Sequence, residues 1–195
     1  MREIILLKAT VLWINKLIPD QIDYYIAPID DGKYYRDRFD FWNNVYGFKM
    51  TVMREQHLNE PVFDSLNPSQ LLATEMCLHQ IDLNKVKKSE LDFICKYNCK
   101  ILYEGELNGF VMWFAVGFSM SHVNISLDGS PHSEKRIFSQ LVFFLKNKTI
   151  VKKGDTVYGS IALKLDADEK FKADIKLSAN LANNKYANIQ YYTVE

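Results

Sequence analysis

Histidine, cysteine and carboxylate side chains are the ones that could hold a metal, attack a carbonyl or move a proton. In this chain their spacing supports none of these. His57, His79, His122 and His132 are scattered, with no two at metal-ligand spacing. His132 stands apart because it lies in a long polar stretch, 121–135, and sites concentrate in such loops. Cys77, Cys95 and Cys99 are odd in number and lack the paired spacing of a zinc site. They read as buried, reduced thiols of a cytoplasmic or nuclear protein. Glu104 and Glu106 flank a glycine and read as solvated turn residues, although such a pair could hold a guanidinium. None of the eight glycines forms Gly-x-Gly, and no serine sits in a Gly-x-Ser-x-Gly elbow. Residue chemistry alone predicts no catalytic, metal or cofactor site.

The elements that would position a site are more informative. In Tyr34 to Phe48, seven of fifteen residues are aromatic. On a helix, Tyr35, Phe39, Trp42 and Tyr46 fall at i, i+4, i+7 and i+11, one continuous stripe, with Lys33, Arg36, Asp37, Arg38 and Asp40 off it. Asp30 and Asp31 precede the stripe as candidate N-caps, and Gly47 suits a left-handed terminus. A helix this short and aromatic needs a surface to bury against, in its own core or on a partner.

The rest of the chain alternates between strands and turns. Residues 2–14 have helical spacing, and their apolar run is too interrupted to span a bilayer. Residues 22–29 read as a first strand, 48–58 as a second with blurred alternation, and Pro68 opens a single helical turn. Strands follow over 74–83, 91–104 and 110–120. The last of these, FVMWFAVGFSM, is apolar on both faces and demands a cover. Asn108-Gly109 reads as a turn. Further strands follow over 137–145 and 157–165, then around Phe171, Ala173, Ile175, Leu177 and Ala179, and over 187–194. Eight to ten short strands predict a mainly β fold, a two-sheet barrel or sandwich. With 24 basic and 24 acidic residues the chain has no net charge, which argues against a dedicated nucleic-acid binder.

At Asn44-Val45-Tyr46-Gly47-Phe48 and Met50 the sequence resembles the protein arginine N-methyltransferases at the boundary of their dimerisation arm and β-barrel. The stretch Leu17 to Asp31 resembles the family's passage into the first barrel strand. Glu60-Pro61-Val62, Asn67-Pro68-Ser69-Gln70-Leu71, and Gly154 with Tyr158-Gly159-Ser160-Ile161 resemble later family segments. The resemblance implies a connecting helix over 1–20 and a substrate-binding barrel over 21–195. A helical arm would be inserted at 30–48, with Tyr35, Phe39 and Trp42 on its docking stripe and Tyr46 and Phe48 at its anchor. It also implies an α/β domain upstream of Met1, which would bind S-adenosylmethionine and carry the two glutamates that grip the substrate guanidinium. By this likeness the parent methylates arginine-containing protein substrates and acts as a homo- or heterodimer. This chain would bind no cofactor, and it would touch neither nucleic acid nor membrane. Its place would be the cytoplasm, the nucleus or both.

One departure concerns the substrate groove. The family usually carries Thr-His-Trp where Arg136, Ile137 and Phe138 stand here. Phe138 keeps an aromatic, the histidine is absent, and His132 is the candidate to replace it. This motivates a second expectation, a non-catalytic paralogue that activates a catalytic partner by heterodimerising. A third, an unrelated small-ligand barrel, would require that no helical arm separate the first two barrel strands.

Overall fold

The computed structural model describes residues 18–118, 125–134, 137–166, 172–182 and 185–194. The expected N-terminal helix, Arg136 and Phe171 lie outside the described residues. Strand β1 (Gln21–Ile29) leads into helix α1 (Gly32–Arg38), a 3-10 turn (Asp40–Asn43) and helix α2 (Thr51–Leu58). The described strands that follow are β2 (Val62–Asp64), β3 (Met76–Asp82), β4 (Phe93–Lys100), β5 (Gly105–Phe118), β6 (Ile125–Asp128), β7 (Gln140–Val151), β8 (Thr156–Leu165), β9 (Ala173–Leu181) and β10 (Ala187–Val194). They form two antiparallel sheets. One has the order β2-β7-β5-β1-β3 with β6 beside β5, and the other β10-β9-β8-β4.

The two sheets face each other over one core. Alternation in β9 buries Ala173, Ile175, Leu177, Ala179 and Leu181, and the last four share a core with Ile26, Phe110, Phe143 and Tyr192. β5 has no solvent face in its middle because both of its sides are covered. Phe110, Met112 and Phe114 enter the inter-sheet core, while Val111 and Trp113 join a second core with Tyr35, Phe39, Leu58 and Phe144. The helical insertion is the cover that the doubly apolar sequence of β5 demands.

Three local expectations change. Residues 51–58 are helical rather than extended. Apolar residues at 48, 50 and 52 imitate a strand, yet Val52 is exposed and only Leu58 in this helix is buried, so packing and not alternation sets the backbone. Asn108-Gly109 lies inside β5, not in a turn. The register against β7 shifts between Leu107 and Gly109, so the pair makes an irregularity in the strand. Within the stretch 121–135, expected to be one polar loop, residues Ile125–Asp128 form a short strand, β6.

Candidate functional site: the arm and the loop at the barrel end

The aromatic stretch does not form one stripe. α1 ends at Arg38, and the chain passes through the 3-10 turn to a tight reversal in which Val45 and Phe48 exchange N–H···O bonds of 2.8 and 3.0 Å. Tyr46 and Gly47 both have positive φ, at 51° and 90°, as the two central residues of a hairpin turn require. The Asn44 side chain accepts from Gly47 N–H at 2.9 Å and so competes with helix continuation. Gly47 does take the left-handed conformation, but it closes a hairpin rather than a helix.

This break separates the five predicted arm residues. Tyr35 and Phe39 are buried within the chain, which corrects their assignment to a docking stripe. Phe39 packs at 5.1 Å from Phe144 and 5.1 Å from Tyr35, and Tyr34 stacks on Phe144 at 5.0 Å. Trp42 is half-buried and stacks on His57 at 5.4 Å. Tyr46 is 98% exposed and Phe48 69%, so neither anchors the arm to the barrel. Phe41, Met50, Val52 and Met53 are exposed as well, so six large apolar side chains between 41 and 53 face solvent. Sequence periodicity missed these four because Phe41 lies off the helical stripe and Met50, Val52 and Met53 fall in the stretch read as a strand. Their exposure follows from the hairpin turn, for which the Tyr-Gly pair after Asn44 was the available signal.

A charged lock holds this insertion on the barrel. The Tyr35 hydroxyl donates to Leu145 O at 2.8 Å and accepts from the Arg54 guanidinium at 3.2 Å. Lys148 Nζ lies 4.6 Å from the centre of the Tyr35 ring and bridges Asp40 at 3.5 Å and Glu106 at 3.2 Å. Burial pushes the Tyr35 phenol up to about 12, with Arg54 partly opposing it. Glu106, read from sequence as a turn residue, is an ion-pair partner within β5.

At the far end of the sheet, Gly129 and Ser130 are held by polar groups of the flanking strands. Ser130 N–H and Oγ bond the Asp128 carboxylate at 2.8 and 2.6 Å. Buried Gln140 donates to Gly129 O and accepts from Leu66 N–H, both at 2.8 Å. Phe138 lays its ring 4.7 Å from Phe114 at the edge of the inter-sheet core, whereas His132 and Ile137 are exposed. Of the predicted loop residues that are described, Phe138 turns inward while His132 and Ile137 face solvent; Arg136 lies outside the described residues. Beside this loop Tyr25 stacks on Trp113 at 5.9 Å. Burial, then Asp23, Cys77, Asp128 and Glu75, raise its phenol. No sequence motif marked this acidic, aromatic ledge, because its members come from four separate segments.

Among the described residues no three His, Cys, Asp or Glu side chains come together to hold a metal. Of the three thiols only Cys99 is buried, which corrects the sequence expectation. Cys77 is exposed and Cys95 half-buried.

Residues 20–184 match the family described as the arginine methyltransferase oligomerization subdomain. The chain is 28% identical over 162 residues to protein arginine N-methyltransferase 1 of Chlamydomonas reinhardtii, covering 83% of this chain and 47% of that protein. It is 29% identical over 162 residues to protein arginine N-methyltransferase 1 of Caenorhabditis elegans, with the same two coverages, 83% and 47%. The chain thus spans about half the length of the curated relatives it matches. Its fold resembles a chain of the Trypanosoma brucei PRMT1 enzyme-prozyme heterotetrameric complex with AdoHcy, with a TM-score of 0.87 and 23% identity over 92% of this chain and 58% of that one. It also resembles Arabidopsis thaliana protein arginine methyltransferase 10, with a TM-score of 0.72 and 21% identity over 91% of this chain and 60% of that one.

Proposed function

Because the chain belongs to the arginine methyltransferase oligomerization subdomain family, we propose that it is the barrel-and-arm part of a protein arginine N-methyltransferase. In this reading the parent protein transfers a methyl group from S-adenosylmethionine to arginine nitrogens of protein substrates. The cofactor site and the paired glutamates belong to the rest of that protein. This chain contributes a dimerisation surface and one wall of the substrate groove.

The observation that carries the reading is the division of the arm into a buried root and an exposed tip. Tyr35 and Phe39 fix the root to the barrel, so Phe41, Tyr46, Phe48, Met50, Val52 and Met53 are presented without collapsing onto it. A preorganised apolar face loses little conformational entropy on docking. The groove wall is the half-buried Tyr25, backed by the buried Trp113, with Asp23, Asp128 and Glu75 near the phenol. Carboxylates beside the Tyr25 ring suit a planar guanidinium, which bonds the first and stacks on the second.

Sedimentation equilibrium of the full chain tests the docking surface. Concentration-dependent self-association that Phe48→Asp abolishes, with the urea midpoint unchanged, is the expected result. A wild-type chain that stays monomeric at high micromolar concentration overturns it. Titration calorimetry with S-adenosylmethionine is expected to show no heat of binding, and tight binding would refute the division of labour.

The loop at Phe138 favours a second reading, a non-catalytic paralogue that activates a partner. The phenyl ring faces Phe114 in the barrel, and the imidazole of His132 is exposed on the loop. One neighbour in fold is itself part of an enzyme-prozyme complex. A parent protein that is inactive alone but raises the turnover of a catalytic homologue on mixing supports this reading. Methyl transfer by the parent alone refutes it.

A further inference from the structure

An exposed docking face is useful only if the arm beneath it holds one orientation, and two buried amides from distant strands bracket that arm. At its entrance the Asp30 carboxylate accepts from Gly32 N–H at 3.1 Å, Glu106 N–H at 2.9 Å and the Asn108 amide at 3.2 Å. Asn108 Oδ1 in turn accepts from Asp31 N–H at 3.0 Å. Asn108 is fully buried at the irregularity in β5. At its exit the last turn of α2 leaves carbonyls without helical partners. Gln190, 3% exposed on the final strand, donates to the Leu58 carbonyl at 2.6 Å. The same Nε2 donates to Phe144 O at 3.1 Å, and Oε1 accepts from Lys146 N–H at 3.0 Å. One amide therefore joins the arm, β7 and β10.

We propose that Gln190 is a positioning residue for the docking face, fixing the exit of the arm as Asn108 fixes its entrance. The inference rests on the docking role proposed above. Its logic is that the Gln190 bond crosses 132 residues of sequence to a helix end. A buried carbonyl that loses its donor keeps its desolvation cost, so α2 loosens at that end rather than remaining in place. Asp30 and Asn108 still hold the entrance, and the freed segment pivots about them. The apolar tip then samples orientations that do not match a partner surface.

The test is Gln190→Met in the full chain, which keeps the volume and removes all three bonds. Gln190→Asn, one methylene too short to reach Leu58 O, serves where the first variant folds poorly. Val194→Ala, on the same strand but not bonded to the arm, controls for loss of barrel stability. Hydrogen exchange read by segment should accelerate roughly tenfold or more across Thr51–Leu58 in the glutamine variants, the scale of one unsatisfied buried acceptor. Exchange in β8 and β9 should not change, and self-association should weaken by a similar factor. Val194→Ala should leave exchange across Thr51–Leu58 at its wild-type rate. Unchanged arm exchange in Gln190→Met overturns the proposal. Faster arm exchange with undiminished association also overturns it, since the bond would then hold the helix without serving docking. A wild-type chain that never associates refutes the docking role instead, and the exchange measurement separates the two failures.

Discussion

Replacing Phe39 with alanine distinguishes the observed fold from a single amphipathic helix carrying Phe39 on a docking stripe. In the structure Phe39 is 1% exposed and meets three rings, Tyr34 at 6.2 Å, Tyr35 at 5.1 Å and Phe144 at 5.1 Å. Removing a buried phenyl group costs about 3–5 kcal/mol from transfer and cavity terms. Each ring pair adds about 0.5–1.5 kcal/mol beyond area, so the upper half of that range is expected here. Taking about 4 kcal/mol against a total stability of about 5–15 kcal/mol, the variant stays folded but becomes marginal. With a urea slope of about 2 kcal/mol per molar, the midpoint falls by about 2 M. Thermal unfolding shifts down by about 8–16 °C for a chain of this size. The assay is urea unfolding followed by far-ultraviolet circular dichroism, with sedimentation equilibrium on the same sample. A midpoint lowered by less than about 0.5 M, equivalent to about 1 kcal/mol, together with lost self-association would place Phe39 on the outside and refute the two-part arm.

Tyr46→Ser should do the reverse, changing stability by less than about 0.5 kcal/mol while weakening association, because the side chain has almost no contacts to lose. Alkaline pH should unfold the chain through its tyrosines. Burial raises Tyr24 and Tyr35 to about 12, so the folded state favours the neutral phenol. That contribution is intact below the ordinary value of about 10 and is lost as pH rises through about 12. The urea midpoint should fall over this window, alongside a delayed rise in tyrosinate absorbance, and ionisation of all tyrosines near the ordinary value would contradict it. Burial also pushes the Cys99 thiol up to about 12, so at about pH 8 a thiol reagent should reach it only on unfolding. Exposed Cys77 should react in the folded chain, and equal labelling rates at both would show that the β4 edge opens.

Much of the barrel is legible in the sequence. In β9 and β10 the side chains alternate cleanly because one face meets the core and the other meets water, and the observed spans Ala173–Leu181 and Ala187–Val194 follow that pattern. The doubly apolar β5 announced a cover on both sides. Residues 51–58 were misread because apolar positions at 48, 50 and 52 alternate by accident of exposure, most of them lying on the outer face rather than in a core. The stretch 121–135 is recognisable as polar, but the inward turn of Phe138 beyond it is not, since it depends on Phe114 across the sheet.

Sequence by itself determined the strand content, the turn chemistry of Asn44 to Gly47 and the string of residues through which the family is recognised. Only the tertiary structure decided which aromatics of Tyr34 to Phe48 are root and which are tip. Tyr35, Phe39, Tyr46 and Phe48 are alike in type, and local spacing cannot rank them. What separates them is contact with Phe144 and Leu145 on β7, about a hundred residues away along the chain. The same holds for Gln190, whose side chain has no local partner and finds Leu58 only when the last strand completes its sheet. Burial is a property of the assembled surfaces, and a residue's place in it is fixed by partners that sequence spacing does not name.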